Sequence, residues 1–248
     1  MSEHIFPQSF PSTDNAQMTL SQEGPLFILH LHHNDNRFSP EFCRAILTIL
    51  QIVEDIYVNA EEPLEMALVT VGNNKIYSNG LELAHVITYP PFMDLYLSVL
   101  KKLVSFCIPT IAALNGHAFA GGCLFALAHD YRVMRSDRGY LCMNEVEFGA
   151  PLHPGMSAIL QFKLTPVAFR NMVLRAQRFS AKDAMTLGMV DDAVPEDQVL
   201  SKAKELALQV APLAKSGAAA YKQLKDQINK TNHSLQDYLS HRPLYRCM

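Results

Sequence analysis

The chain has 248 residues, 49% hydrophobic and 18% charged, a composition that supports a large buried core and argues against disorder. Its formal net charge of −3 gives no electrostatic case for nucleic acid as the main partner. No apolar run approaches the ~20 residues that span a bilayer, and five scattered cysteines without a Cys-x-x-Cys pair point to reduced thiols inside a cell.

Residues 1–18 are polar and carry Pro7 and Pro11, which reads as a loose arm and not as a signal peptide. Leu26 to His32 is a continuous apolar run, the pattern of a strand covered on both faces. Ser39-Pro40-Glu41 reads as an N-cap with proline at the first helical position. The helix it opens, to about Val58, places Phe42, Ile46, Ile49, Ile52 and Val53 near one face. Met66 to Val71 is a second buried strand, and Gly80 marks a tight point within Ile76 to Leu83. A helix over Phe92 to Phe106 is closed by Pro109.

The stretch Ile108 to Met156 organises the rest. A β-like segment to Asn115 runs into Gly116, Gly121 and Gly122, then into a helix-like run from Cys123 to Ala128. A helix beginning just after such a turn leaves N–H donors pointing outward from its first turn. Tyr131 to Met134 and Tyr140 to Met143 read as short strands. They are followed by Asn144-Glu-Val-Glu-Phe148, carboxylates in an apolar neighbourhood. Donors suited to an oxyanion beside such a carboxylate suggest proton chemistry next to a carbonyl. A helix from Thr165 to Ala176 comes next, then another opened by Ser180-Ala-Lys-Asp183, a capping-box start ended by Gly188. A strand from Met189 to Val194 precedes helix from Pro195 to about Leu239, broken near Pro212 and at Ser216-Gly217. Alternating strands and helices give an α/β class. The turn matches neither a P-loop nor a Rossmann glycine spacing.

The order Ile108-Pro-Thr-Ile-Ala-Ala-Leu-Asn-Gly116, Ala120-Gly-Gly-Cys123, Asp130-Tyr-Arg132, Asn144-Glu-Val-Glu-Phe-Gly149 resembles the enoyl-CoA hydratase/isomerase (crotonase) superfamily. Tyr77-Ser-Asn-Gly-Leu-Glu-Leu83 and Phe179 to Val190 fit as well, so the resemblance covers about Leu26 to Val194. It implies a crotonase-like ββα spiral: a core over residues 19–195 and a C-terminal helical trimerisation region over 196–248. It also implies a homotrimer or homohexamer with no metal or redox cofactor, the coenzyme A thioester being the substrate.

By the same resemblance, Glu145 is the base, and Leu81 and Gly121 offer backbone N–H groups to the thioester oxygen. Ser78, Asn79, Gly80, Gly122, Leu124 and Phe148 are expected to contact substrate, and Arg37 to approach the coenzyme A nucleotide. Glu147 is the rival base, two residues on, where it would share a strand face with Glu145; Glu82 reads as structural. Lys222 and Lys225 read as a solvated face, with a coenzyme A phosphate as the alternative. His117, His129, His30 and His32 lack a third ligand at a supporting spacing and read as core or cap histidines.

Family hydratases carry a second glutamate in a Gly-Gly-Cys-Glu pattern, and here that position is Leu124. Hydration needs a water activated and a proton delivered, work usually shared by two carboxylates. Moving a double bond from position 3 to position 2 of an acyl-CoA needs one base. The expectation is a Δ3,Δ2-enoyl-CoA isomerase, with a hydratase as the nearest alternative, another crotonase-fold acyl-CoA enzyme such as a decarboxylase or thioesterase behind it, and a non-catalytic or RNA-binding member as an alternative of another class. Arg246-Cys247-Met248 is a poor match to the peroxisomal tripeptide, so peroxisomes stand only slightly ahead of cytosol or mitochondria.

Overall fold

The computed structural model describes residues 6–11, 15–216 and 218–230. It opens on an edge hairpin: β1 (Gln8–Phe10) pairs antiparallel with β2 (Met18–Glu23), which pairs in the same sense with β3 (Leu26–Leu31). The loose arm is thereby corrected, since residues 8–10 belong to the sheet and Met18 is fully buried. Pro7 and Pro11 bracket a three-residue edge strand, where proline is tolerated and the strand signal is short.

α1 (Pro40–Val58) starts as its sequence predicts, with Ser39 Oγ accepting the Phe42 N–H. β4 (Ala67–Val71), β5 (Ile76–Ser78), α2 (Leu83–Thr88) and α3 (Pro91–Val104) follow. α2 buries no residue, so it leaves no periodic signal. Then come β6 (Thr110–Leu114), β7 (His117–Phe119) and α4 (Gly121–Ala128). α4 begins two residues before the expected Cys123, its glycines forming the first turn, where N–H groups need no helical acceptor.

β8 (Tyr131–Arg135) and β9 (Leu141–Cys142) lead to a 3-10 turn over Glu145–Phe148. α5 (Pro154–Lys163) has no sequence counterpart, because its N-cap is His153, a residue that does not announce a helix start. α6 (Pro166–Arg175) and α7 (Ala181–Thr186) obey their capping signals, the Ser180–Asp183 box included. β10 is confined to Asp192–Val194; α8 (Val199–Ser216) runs through Pro212 without a break, and α9 (Ala218–Lys230) closes the described chain. The expected helix end near Leu239, and Cys247, lie outside the described residues.

Seven strands form one sheet in the order β1-β2-β3-β4-β6-β8-β10, parallel from β3 to β10. Leu26, Ile28, Val69, Ile111, Ala113 and Val133 face α8, packing on its Val199, Ala203, Ala207 and Val210. Phe27, Leu29, Leu68, Ala112 and Leu114 face the opposite way, into the larger core with α1, α3, α4 and α5. Burial on both faces is why β3, β4 and β6 read as unbroken apolar runs. α8 therefore completes the core, instead of belonging to a separate C-terminal region as the sequence suggested.

α9 is held by charge. The Lys225 ammonium lies 2.5 Å from Asp130 Oδ2 and donates to the Ile108 carbonyl at 3.0 Å. Asp130 also accepts the Thr110 N–H and Oγ–H and the Tyr221 hydroxyl. Lys225 is buried, which corrects its reading as solvated or as a phosphate contact; Lys222 donates to the Ser105 carbonyl at 3.3 Å.

Candidate active site

β5, β7 and β9 form a second, wholly parallel sheet, with Ile76 opposite His117 and Phe119 opposite Cys142. Parallel pairing puts their carboxyl ends on one edge, and each end leads directly into a predicted site residue. Leu81 follows β5, Gly121 follows β7 and Glu145 follows β9. Three segments far apart in sequence are thus delivered to one place by a sheet two or three residues long, at the strand ends where parallel sheets bind ligands.

The donor groups are aimed by their neighbours. Gly80 O accepts the Phe38 N–H and Glu82 N–H donates to Phe38 O, both at 2.8 Å. In extended backbone successive groups alternate, so the Leu81 N–H faces away from Phe38. Gly80 adopts φ +81°, and a Cβ there would stand 3.0 Å from Phe119 O and 3.1 Å from Gly121 N. The Gly121 N–H is at the first position of α4 and has no acceptor within the helix. Ala120 before it sits at φ 48°, ψ −124°, a costly conformation for a residue with a side chain and one concentrated at functional sites. Ala120 N–H donates to Cys142 O at 2.8 Å, tying the turn to β9. A Cβ on Gly122 would run into the Ser78 carbonyl, so this close approach requires glycine.

Glu145 opens the 3-10 turn. Its Oε2 is buried and has no hydrogen-bond partner among the described residues. Burial pushes its carboxyl from 4.5 up to about 7, against a small opposing pull from its own backbone N–H. Glu147 is exposed, and the turn, with three residues per turn, carries it off the Glu145 face. The shared strand face expected for this pair is not formed.

The remaining expected contacts separate. Phe148 is half exposed beside Glu145. Ser78 is fully buried, donating to Asn36 O at 2.7 Å and accepting the Gly80 N–H, so it holds the turn and presents no free hydroxyl. Gly122 and Leu124 are likewise enclosed, the leucine within the main core. Asn79 is bonded to Asp35 through both N–H and Nδ2. Glu82 pairs with His85 at 3.3 Å.

Arg37 is exposed, pairs with Asp35 at 3.5 Å and lines a cleft of about 760 Å³ with His33, Ser39, Arg44, Glu82 and His85. Glu145 does not line it, so the cleft adjoins the site through Glu82. His129 is fully buried, its ring bonded to Thr70 Oγ1 and Phe125 O, and burial lowers its pKa to about 3; it is a core histidine. Among the described residues no group of three or more His, Cys, Asp or Glu converges as a metal site would. Two participants had no sequence signal: Ala120, an ordinary alanine by type, and Tyr96, one aromatic on an apolar helix face, whose hydroxyl donates to the Gly121 carbonyl at 2.6 Å.

Three strand ends thus bring together two outward N–H donors and one half-buried carboxyl. The enoyl-CoA hydratase/isomerase family profile matches residues 34–241. The chain belongs to this family. It is 36% identical to enoyl-CoA delta isomerase 3 of Arabidopsis thaliana over 185 residues, 71% of this chain and 76% of the relative. It is 35% identical to the peroxisomal enoyl-CoA delta isomerase 2 of the same plant, over 73% of this chain and 78% of that one. The apo structure of a Mycobacterium tuberculosis enoyl-CoA isomerase superposes with a TM-score of 0.77, 21% identical, covering 90% and 96% of the two chains; this likeness is one of fold.

Proposed function

We propose that this member of the family is a Δ3,Δ2-enoyl-CoA isomerase working with a single carboxylate. The observation that carries the reading is Glu145 itself, half-buried, with a buried Oε2 unpartnered among the described residues and its pKa raised to about 7. Leu124 stands where hydratases of the resemblance place a second glutamate, and it is enclosed in the core. The similarity to named delta isomerases supports the same choice.

In this reading the Leu81 and Gly121 N–H groups donate to the thioester oxygen of a 3-enoyl-CoA. Ionised Glu145 takes a proton from C2, and the C–H electrons form a dienolate whose negative charge the two donors stabilise. The carboxyl then returns the proton to C4; the C3=C4 pair takes it, C2=C3 becomes the double bond and the carbonyl re-forms. One group serves as base and then acid, which a pKa near neutrality permits. We assign Arg37 and the cleft beside Glu82 to the nucleotide end of coenzyme A, a reading supported by the exposure of Arg37 and the size of the cleft.

Incubation with 3-hexenoyl-CoA and, separately, 2-hexenoyl-CoA tests the reading. Isomer from the first should form far faster than hydrated product from the second, and comparable rates would remove the single-base argument. The assembly we propose is a trimer or a dimer of trimers, read by analytical ultracentrifugation. The compartment we propose is the peroxisome, on the likeness to a peroxisomal relative. A fluorescent fusion with a free C-terminus that stays diffuse beside marked peroxisomes would contradict it. Among the described residues no helix is long and apolar enough to cross a membrane.

A further inference from the structure

Two donors that follow different strands must be held at a fixed separation to share one oxygen, and the small sheet that delivers them is only two to three residues long. The structure contains a second connection between them. Phe38, on the segment between β3 and α1, grips Gly80 and Glu82 with its N–H and carbonyl at 2.8 Å each, bracketing Leu81. Its fully buried ring lies edge-on to Tyr96, centroids 5.0 Å apart, and edge-on to Phe125 at 5.2 Å. Tyr96, on α3 and also fully buried, donates its hydroxyl to the Gly121 carbonyl at 2.6 Å. A Cβ on Gly121 would stand 3.1 Å from both the Tyr96 hydroxyl and the Leu81 side chain, so the three groups meet at one point.

We propose that Phe38 and Tyr96 form a strut that sets the separation and aim of the Leu81 and Gly121 N–H groups. Tyr96 is then a positioning residue for the oxyanion hole, acting through the peptide it holds and not on the substrate. The proposal rests on the reading of those N–H groups as the thioester donors. A phenylalanine at 96 would fill the same volume, and burying a hydroxyl has a cost that its single short hydrogen bond offsets. That bond fixes the plane of the peptide following Gly121, on the far side of the residue whose N–H is at work, while Ala120 sets the plane preceding it. Burial holds the Tyr96 hydroxyl well above the usual tyrosine range, so it stays a donor at every working pH.

The test is Tyr96→Phe, which removes one oxygen. The probe is 2,4-hexadienoyl-CoA, whose conjugated carbonyl absorbs further to the red when donors pull on its oxygen. Bound to Tyr96→Phe it should lose about half or more of the red shift seen with the parent. On 3-hexenoyl-CoA kcat should fall about 10-fold, with KM within about 2-fold and the acid limb of the pH profile in place. Ser98→Ala, on the exposed side of the same helix, should match the parent throughout. An undiminished red shift in Tyr96→Phe overturns the strut. Should that variant not fold, Phe38→Leu keeps the two backbone bonds and removes the ring edge; it carries the same expectation, and an undiminished shift again overturns the proposal. A parent that gives no red shift overturns the donor reading and the strut together. A parent that shifts the probe but isomerises nothing removes the isomerase reading and leaves the strut supported by the spectrum.

Discussion

A carboxyl held at about 7 is divided between its two forms at neutral pH, and the reason here is plain burial without a charged partner. Glu145→Gln keeps the size and most of the hydrogen bonding while removing the basic oxygen. Turnover should fall by ~10²–10⁴-fold with KM little changed, whereas Glu147→Gln, exposed and turned away, should stay within a few-fold of the parent. A dead Glu147→Gln beside a silent Glu145→Gln would mean the wrong carboxylate has been chosen. The ionised form does the first step, so kcat/KM should rise with pH through about 7 and level off, and the limb should vanish with Glu145→Gln. Stability runs in the opposite sense. A carboxyl whose pKa is raised by folding binds its proton more readily in the native state, so folding loses stability as pH climbs from 4.5 through about 7. Allowing for partial exposure, Glu145→Gln should be more stable than the parent above that range by ~2 kcal/mol, measured by denaturant titration at two pH values. Glu145 and Gly121 stand out as candidates in the sequence because their type and the motif order point to proton chemistry. Ala120 does not, because its contribution is a backbone angle that its side chain does not declare.

Elements were legible where their ends are chemically marked. Ser39-Pro40 and the Ser180–Asp183 box fix α1 and α7 by local hydrogen bonds, and local signals survive without knowledge of the fold. α2, with nothing buried, and α5, capped by a histidine, carry no such marks. α9 shows a third case, in which tertiary pairing overrides the surface look of a sequence rich in lysine. Its Lys225 is buried against Asp130 at the edge of the large sheet. Lys225→Met should leave Asp130 without its cation and lower stability by ~3–5 kcal/mol, while adding Asp130→Asn should recover part of that loss. Equal and additive losses across the cycle of thermal melts would mean that the pair does not couple.

At the scale of the whole molecule, the class was readable from alternating strands and helices, and the large parallel sheet from its continuous apolar runs. The division of that chain into two sheets was not. β5 and β7 are too short to differ by composition from ordinary turns, β9 reads as a strand but not as a member of a second sheet, and the partners of all three are set by crossovers that no local pattern encodes. This shortness bears on the order in which the protein assembles. Ile76 finds His117 and Ala118 finds Leu141 only across long intervening chain, so each pairing must await the closure of a loop it cannot itself stabilise. The large sheet and its helices provide that closure, and the catalytic edge then forms last, as a by-product of a scaffold already in place. In refolding from denaturant, helical ellipticity should return before turnover does, and no fragment ending before Glu145 should recover any activity at all.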